Sequence, residues 1–284
     1  MKVKIAILAC TVCFAIDGKA GVFSMDTIND PGDLLGQTNA ITTAVPFLLI
    51  TPDARHAGLG DAGVASSPDA NASYWNPAKL VYVNKAYGGT ISYTPWLGKI
   101  INDMSVSYLS GFYKITREQA ASFSFKYFDL GDIFFTEDGQ TGTNFNPREF
   151  SMDFTYSRML TEQFSVGLTG KYIYSNLTGA FSSGGVDARP GKSVAVDIGV
   201  FYTKELRSAK NSTLSFGGSI SNIGAKMTYS DDSQKDFIPT NLRVGSAFTT
   251  SLDMHNTLTF LLDFNKLLVP TIDEGQSMLG GMFG

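Results

Sequence analysis

The sequence predicts an all-β protein: an antiparallel β-barrel that spans a membrane and encloses an N-terminal hatch. Three observations predict this fold class. The chain starts with an export signal, it continues with about nine segments in which apolar and polar residues alternate, and charged residues stand in the middle of those segments. A hydrated barrel interior accommodates such charges, and segments of about ten residues are long enough to cross a membrane as strands.

The composition suits this fold class. Only 17% of the 284 residues are charged, whereas the chain holds 29 Gly, 21 Phe and 12 Tyr, a balance that favours β-structure with aromatic belts. The net charge of −4 argues against a nucleic-acid partner. After the export signal the sequence has no window of about 18 apolar residues, so a membrane-spanning protein of this sequence has to cross as a barrel.

Residues 1–20 have the layout of a secretory signal peptide. Lys2 and Lys4 are basic, an apolar run extends from Ile5 to Ile16, and Ala20 supplies a small residue for cleavage. Both cysteines of the chain lie within the apolar run, so we expect a mature protein without disulfides. Its net charge would be about −6 once the three lysines and one aspartate of the signal are removed.

The mature chain divides into three predicted parts. Residues 21–44 are polar, show no sustained periodicity and are interpreted as a periplasmic arm. Residues 45–85 form the predicted hatch, because glycines and prolines interrupt any regular element there and Trp75 beside Asn76-Pro77-Ala78 offers a large anchor. Residues 86–284 form the predicted barrel.

From about Gly88 onward each predicted strand has one apolar and one polar face. The apolar faces include Met104, Val106, Tyr108, Phe123, Phe154, Leu168, Val196, Phe216, Val244 and Leu262. The polar faces include Ser122, Lys126, Asp153, Lys171, Asp197, Ser219, Arg243 and Asp263. We expect the apolar faces to contact lipid and the polar faces to line the interior. A soluble sandwich, with the apolar faces as its core, would produce the same alternation.

The predicted connections alternate in length. Thr161–Gln163 and Ser251–Asp253 are short turns, whereas Asp132–Arg148 and Thr178–Gly191 are long, which matches periplasmic turns and outer loops. Aromatic residues expected to form interfacial belts are Tyr87, Tyr93, Trp96, Tyr113, Tyr174 and Tyr202. About nine or ten strands are predicted in this sequence. Because a barrel in lipid has to close, we expect further strands after residue 284.

Two motifs suggest other chemistry. Gly58-Leu59-Gly60-Asp61-Ala62-Gly63 fits a dinucleotide fingerprint, but Pro68 stops the helix that should follow, and no acidic residue stands about 20 positions on. His56 and His255 fall in no metal-binding pattern, and a catalytic pair of His255 with a strand serine is the weaker alternative. Calcium in the acidic loops stays open, without an EF-hand spacing. We therefore predict no catalytic residue, cofactor or metal.

The predicted functional residues lie in the hatch. They are Asp53, Arg55, Gly58, Gly60, Asp61, Gly63, Trp75, Asn76, Pro77 and Ala78. We expect cations of the interior to pin the charged hatch by ion pairs, with ordinary solvated loop charge as the alternative. The interior cations are Lys126, Arg158, Lys171 and Arg243.

The hatch also resembles a known family. Asn76-Pro77-Ala78, after a Gly-rich stretch and before the first strand, resembles the hatch motif of FadL-type outer-membrane barrels. The fuller runs Phe47–Ala65, Ser67–Asn71 and Tyr74–Lys79 look like the PorV family of the type IX secretion system, and Ser221-Asn222-Ile223-Gly224 continues the likeness into the strands.

The resemblance implies a fourteen-stranded, FadL-like barrel in the outer membrane of Bacteroidota-type bacteria. Members of that family associate with a giant translocon barrel and receive secreted cargo by its C-terminal signal domain. They pass the cargo to a surface sortase complex that attaches it to lipopolysaccharide. On this interpretation the protein is not an enzyme, and its long loops contact protein. Two alternatives stay open: a FadL-like channel for hydrophobic small molecules, and a barrel enzyme acting on lipid or lipopolysaccharide.

Overall fold

The described part of the chain begins at residue 43. The computed structural model describes residues 43–100, 103–135, 143–177, 182–183, 186–187, 189–206, 212–229, 235–253 and 255–269. The predicted signal peptide and residues 21–42 of the predicted arm lie outside these ranges.

Nine long strands form one antiparallel sheet, and each pairs with the next long strand along the chain. They are β1 (Tyr87–Pro95), β2 (Ser105–Thr116), β3 (Gln119–Asp129), β6 (Arg148–Thr161), β7 (Phe164–Asn176), β10 (Gly191–Leu206), β11 (Ser212–Gly224), β12 (Asn241–Ser251) and β13 (Thr257–Leu267). Two small hairpins stand apart from this sheet. They are β4–β5 (Ile133–Phe135 with Thr143–Phe145) and β8–β9 (Ser182–Ser183 with Val186–Asp187).

The all-β prediction and the nine long strands are confirmed, because period-two alternation is a strong strand signal when it extends over ten residues. Strands β1 and β13 are the edges of the sheet. The described residues therefore form an open sheet, and the closed barrel of fourteen strands implied by the resemblance is not seen in them.

The connections differ in length between the two ends of the sheet. The connections β2–β3, β6–β7 and β12–β13 have two to five residues and lie at one end, here called the short-turn end. The β3–β6 and β7–β10 connections, which hold the two small hairpins, lie at the opposite, long-loop end together with the described residues 96–100, 103–104, 225–229 and 235–240. This arrangement follows from antiparallel pairing, which brings alternate connections to the same end.

Burial alternates residue by residue along the strands, most regularly in β6 and β7. The buried side, here called the inner face, packs against residues 44–83. The opposite, outer face exposes large apolar side chains, such as Phe154 at 65% and Phe264 at 68%. The outer face is therefore apolar and the inner face is largely polar, as the alternation predicted.

Several face assignments were wrong, and one of them is Met104, which packs partly buried against the inner-face cluster at the long-loop end. Val106 and Tyr108 lie on the inner face of β2, where contacts with residues 44–83 bury them to 1% and 2% exposure. Arg158, predicted among the interior cations, is on the exposed side of β6. Trp96 packs edge-on against Phe128 in an inner-face cluster and not in an outer aromatic belt. In β2 both faces carry apolar residues, so the period alone does not determine which face is buried.

Residues 44–83, here called the interior segment, run along the inner face from one end of the sheet to the other. At the long-loop end, Ala44 donates its backbone N–H to Phe237 O at 2.9 Å, and Val45 and Phe47 are buried in the cluster there. At the short-turn end, Leu80 and Val83 pack with Phe112, Ala120 and Met159. The segment therefore fills the space beside the inner face along its length.

The interior segment is built from four short helical pieces. They are a 3₁₀ turn at Pro46–Leu49, helix α1 at Ala54–Gly58, helix α2 at Ala72–Trp75 and a 3₁₀ turn at Pro77–Tyr82. Prolines begin both 3₁₀ turns, where a missing backbone N–H costs nothing. None of the helices in the described ranges is long and apolar enough to cross a membrane.

Candidate functional site

The candidate site is the contact between the interior segment and the inner face, and Asn76-Pro77-Ala78 lies at its centre. A Cβ added to Gly199 of β10 would overlap Asn76 Oδ1 and the Pro77 ring, and a Cβ added to Gly167 of β7 would overlap the Pro77–Ala78 backbone. The two glycines are paired directly across their strands. A proline turn can approach the sheet this closely only because both wall positions lack a side chain.

Polar contacts fix the same turn. Asn76 Nδ2 donates to Val64 O at 3.0 Å and to Val200 O at 2.9 Å, while Asn76 Oδ1 accepts the Ala78 N–H at 3.1 Å. Two serines of the inner face then donate to a single acceptor, Ala78 O. They are Ser157 at 3.1 Å and Ser165 at 2.7 Å. Asn76 is fully buried, so these hydrogen bonds replace contacts with water and fix one orientation of the turn.

A second contact joins Gly63-Val64 to the far edge of the sheet. Asp263 Oδ2 on β13 accepts the consecutive N–H groups of Gly63 at 2.7 Å and Val64 at 2.8 Å. Gly217 and Gly245, paired across β11 and β12, leave room for Val64, which a Cβ at either position would overlap. Consecutive N–H groups that face one carboxylate form charge-assisted hydrogen bonds.

A buried polar network ties the parts of the interior segment to one another. His56 Nδ1 lies 2.7 Å from Asp53 Oδ1, and His56 Nε2 lies 2.9 Å from Ser66 Oγ. Trp75 Nε1 donates to Asp53 Oδ2 at 2.9 Å, and Lys79 Nζ donates to Ser66 Oγ at 2.9 Å. The Asp-His-Ser order is that of a hydrolase triad, but His56 is 0% and Ser66 1% exposed, so a substrate has no access to this hydroxyl.

Burial shifts two ionisation equilibria in the network. Burial lowers the pKa of Lys79 to about 8, although nearby Asp69 opposes this shift. Burial by itself would raise the pKa of Asp53, but hydrogen bonds from His56 and Trp75 hold that pKa below its ordinary value. Asp53 is therefore a stable carboxylate, whereas Lys79 carries its charge at a cost.

Interior cations do hold the segment, but through aromatic rings and carbonyl oxygens. Lys126 Nζ lies 4.8 Å from the centroid of the Tyr74 ring and donates to Ile50 O. The guanidinium of Arg243 lies 5.2 Å from the Tyr74 centroid and 5.1 Å from that of Trp75. Such cation–π contacts are worth about 2 kcal/mol or more each where water is excluded.

The predicted ion pairs between interior cations and the hatch were therefore wrong in their partners. Lys171 pairs with Asp197 within the sheet at 3.1 Å. Arg55 pairs with Asp69 of its own segment, with 43% of the arginine side chain exposed. Asp53 forms its contact with His56.

The remaining predicted residues have modest roles. Gly60 and Asp61 adopt left-handed backbone conformations, with φ values of 70° and 61°, and Asp61 accepts a hydrogen bond from Thr51 at 2.6 Å. Gly63 leaves room for the Trp75 ring, whereas nothing lies near the Cβ position of Gly58. No helix opens after these glycines, so a dinucleotide fold is not formed there.

Sequence reasoning placed Asp263 on a polar inner face, but it did not predict which wall residues contact the segment. They are Ser157, Ser165, Gly167, Gly199, Gly217, Gly245 and Asp263. One signal was available, because each of these glycines occupies an inward position of an alternating strand, where a side chain is otherwise expected.

Two further observations concern metal ligands and the second histidine. No group of three His, Cys, Asp or Glu residues is placed there to bind a metal ion. His255 lies exposed in the β12–β13 turn, where its N–H donates to Asp253.

Comparison with known proteins places the chain in a wider group. A family model described as the type IX secretion system protein PorV matches residues 35–274, which is most of the chain. That range contains the whole interior segment and all nine long strands. No curated protein matches the chain.

Proposed function

The chain belongs to the PorV family of type IX secretion system proteins, and from this premise we propose that it is an outer-membrane barrel that carries secreted cargo. In this proposal it docks cargo by the cargo's C-terminal signal domain at the translocon barrel. It then delivers the cargo to the surface sortase complex that attaches it to lipopolysaccharide. No bond is made or broken by this chain itself.

One observation carries the proposal: the interior segment is held along the inner face by buried contacts. Trp75, Asn76, Ala78 and Lys79 are at most 1% exposed. Moving the segment aside would expose these groups and break charge-assisted hydrogen bonds worth about 1.5–3 kcal/mol each. A segment held in this way favours a closed hatch, and a closed hatch favours docking on the barrel over passage through it.

The apolar outer face supports a location in the membrane, and the open sheet edges set a condition on it. The exposed apolar residues of the outer face would contact lipid. Strands β1 and β13 leave unpaired backbone groups, which cost several kcal/mol each in lipid, so the sheet has to close in the membrane. In the proposed orientation, the short turns face the periplasm and the long loops face outward.

The cargo would dock at the long-loop end, because loops commonly carry binding residues while the strands hold those loops in fixed positions. The β4–β5 hairpin suits a deletion test, because contacts at its base do not depend on it. Asn146 Nδ2 donates to Asp129 Oδ1 at 3.1 Å and to Gly131 O at 3.2 Å. Replacing residues 133–145 by a short Gly-Ser linker should leave this base intact.

The test is co-purification from the native outer membrane. The tagged protein is solubilised and its partners are identified by mass spectrometry, alongside variants with 133–145 or 182–187 replaced. We expect exported proteins that share a C-terminal domain, together with a very large barrel, and a loss of cargo in at least one loop variant. Recovery of neither partner class with the unaltered protein would refute the proposal.

A second candidate, a FadL-like channel for hydrophobic molecules, is favoured by one groove. Its volume is about 670 Å³, and it lies between the interior segment and β1, lined by apolar residues that include Leu49, Ile50 and Trp96. Asp53 and Asp61 also line it, which lowers its affinity for a fatty acid carboxylate. Organic extraction of the purified protein separates the two functions: bound fatty acids without protein partners would favour the channel.

A further inference from the structure

The charges on the outer face of the sheet are mostly of one sign. At the outward positions of the nine long strands, five residues are cations and one is an acid. They are Arg148, Arg158, Lys192, Lys204, Lys266 and Asp129. The inner face, by contrast, carries both signs, as in the pair of Lys171 with Asp197. The outer face is therefore complementary to anions, although it is otherwise apolar.

These cations stand towards the ends of the strands. On β6 the outward residues between Arg148 and Arg158 are all apolar or aromatic, and on β10 the same holds between Lys192 and Lys204. The length of strand from Arg148 to Arg158 is about 33 Å, which at a tilt of about 40° spans an apolar band about 25 Å tall. The cations therefore lie where the headgroups of a lipid bilayer would begin.

Arg148 and Lys192 are close enough to share one ligand at the long-loop end. Strand β7 lies between their strands, and Arg148 is directly opposite Asn176, whereas Lys192 is directly opposite Tyr174. A strand spacing of about 4.8 Å and a rise of about 3.3 Å per residue put the two Cα atoms about 12 Å apart. Both side chains are long and flexible, so their charged ends can meet over such a distance.

An aromatic surface borders this pair on the side of the apolar band. The Phe150 ring stacks on the Tyr174 ring with centroids 5.0 Å apart, and its centroid lies 6.4 Å from that of Tyr172. Aromatic residues at the edge of a membrane contact acyl chains with their rings, and tyrosine can reach headgroups with its hydroxyl. An acyl chain can thus pack along these rings while its headgroup reaches the two cations.

The one carboxylate of the outer face has other partners. Asp129 of β3 is directly opposite Arg148, but its Oδ1 atom accepts the Gly131 N–H at 3.0 Å and Asn146 Nδ2 at 3.1 Å. No ion pair within the described ranges includes Arg148 or Lys192. Strand β3 also adjoins β6 on the side away from β7 and β10, so no acid lies between the two cations on the outer face. This arrangement favours an anion between them.

We propose that Arg148 and Lys192 bind the phosphate of a lipid in the outer leaflet, the headgroup chemistry of lipid A in lipopolysaccharide. Both side chains donate to phosphate oxygens, and an acyl chain packs on Phe150 and Tyr172. The choice of leaflet rests on the proposed function, in which the long-loop end faces outward. Recognition of a lipid phosphate by the pair does not depend on it.

The test is native mass spectrometry of the detergent-solubilised protein, titrated with lipid A that carries both of its phosphates. The comparison ligand is the same lipid A with both phosphates removed. We expect Arg148→Gln combined with Lys192→Gln to weaken binding at least about tenfold, because charge-assisted hydrogen bonds to the phosphate are lost. Arg148→Lys combined with Lys192→Arg keeps both charges and should weaken binding much less.

The matched control is Arg158→Gln combined with Lys204→Gln, which removes the same charge from the same two strands at the short-turn end. Arg158 is opposite Val166, and Val166 is opposite Val200, which is four residues from Lys204. The control cations are therefore farther apart than Arg148 and Lys192. This variant should bind lipid A as the unaltered protein does.

Three results would overturn the proposal. They are equal affinities of the two Gln double variants, equal affinity for the two forms of lipid A, and displacement of lipid A by equimolar inorganic phosphate, which would indicate a site for the free anion. Thermal unfolding of each variant checks that the fold is kept. Cargo capture is tested by co-purification and orientation by cysteine labelling of intact cells, so each of those can fail without affecting lipid A binding.

Discussion

Gly167 and Gly199 show how much of the site depends on single positions without a side chain. Both face inward, both are paired across neighbouring strands, and both contact the Asn76-Pro77-Ala78 turn. Glycine in a strand interior normally weakens the strand. Here the missing side chains allow the interior segment to contact the backbone of the sheet.

We therefore expect Gly167→Ala to destabilise the protein by about 1–3 kcal/mol, because the added methyl group overlaps the Pro77–Ala78 backbone. Gly170→Ala is the matched control on the same strand, since nothing lies within 4 Å of its Cβ position. Thermal unfolding in detergent measures both. Equal unfolding midpoints for the two variants would contradict the close contact.

Lys79 makes stability depend on pH. Its pKa in the folded protein, about 8, is below its ordinary value of 10.5, so the unfolded chain binds the proton more tightly. The penalty is present in full below pH 8 and disappears as the pH rises to 10.5. The free energy of unfolding should therefore increase by about 3 kcal/mol across that pH window.

The corresponding prediction compares the unaltered protein with Lys79→Met, which cannot titrate at this position. The free energy of unfolding of the unaltered protein, relative to that of the variant, should rise between pH 8 and pH 10.5. Denaturant titrations at several pH values measure it. If the difference in free energy of unfolding between the two proteins stayed constant across the window, the charge on Lys79 would not destabilise the folded protein.

At the scale of elements, β13 is both an edge strand and an anchor. Asp263 on this strand binds the N–H groups of Gly63 and Val64, while its Oδ1 atom is buried without a hydrogen-bond partner in the described ranges. The contact joins two parts of the chain that are 200 residues apart. The position of the middle of the interior segment thus depends on a strand near the end of the described chain.

Asp263→Ala should loosen this part of the segment at a cost of about 1.5–3 kcal/mol, since two hydrogen bonds to a charged group are lost. Hydrogen exchange at the Gly63 and Val64 amides should become faster. Asp253→Ala, in an exposed turn, is the control and should leave both amides protected. Unchanged exchange in Asp263→Ala would mean that the glycine wall alone holds the segment.

On the scale of the whole molecule, the interior segment has a direction. Ala44 is bound at the long-loop end and Val83 packs at the short-turn end. Thr43 and Ala44, the only described residues of the predicted arm, therefore belong to the long-loop end. In the proposed orientation this end faces outward, which is opposite to the periplasmic side predicted for the arm.

Single cysteines can test this direction, because the only cysteines of the chain lie at positions 10 and 13. On intact cells, Thr43→Cys should react with a membrane-impermeant maleimide as Lys99→Cys in the β1–β2 connection does. Leu252→Cys in the β12–β13 turn should react only after permeabilisation. If Thr43→Cys, like Leu252→Cys, reacted only after permeabilisation, the direction of the segment would be contradicted.

Local pattern was enough to predict the nine long strands and most of their faces, because side chains alternate along a strand whatever it packs against. It also located the part of the chain that carries the site, since prolines and glycines between Val45 and Tyr82 exclude a long helix or strand. These predictions depend on neighbours in sequence, and a sequence displays them directly.

Contacts between distant parts of the chain decided the rest. Val106 and Tyr108 are inward because the interior segment covers them, and Lys126 binds Tyr74 and a carbonyl oxygen instead of an acid. The roles of Gly199 and Asp263 exist only once strands far apart in sequence meet the segment. No period or motif encodes such pairings, because their energy comes from packing and burial in three dimensions.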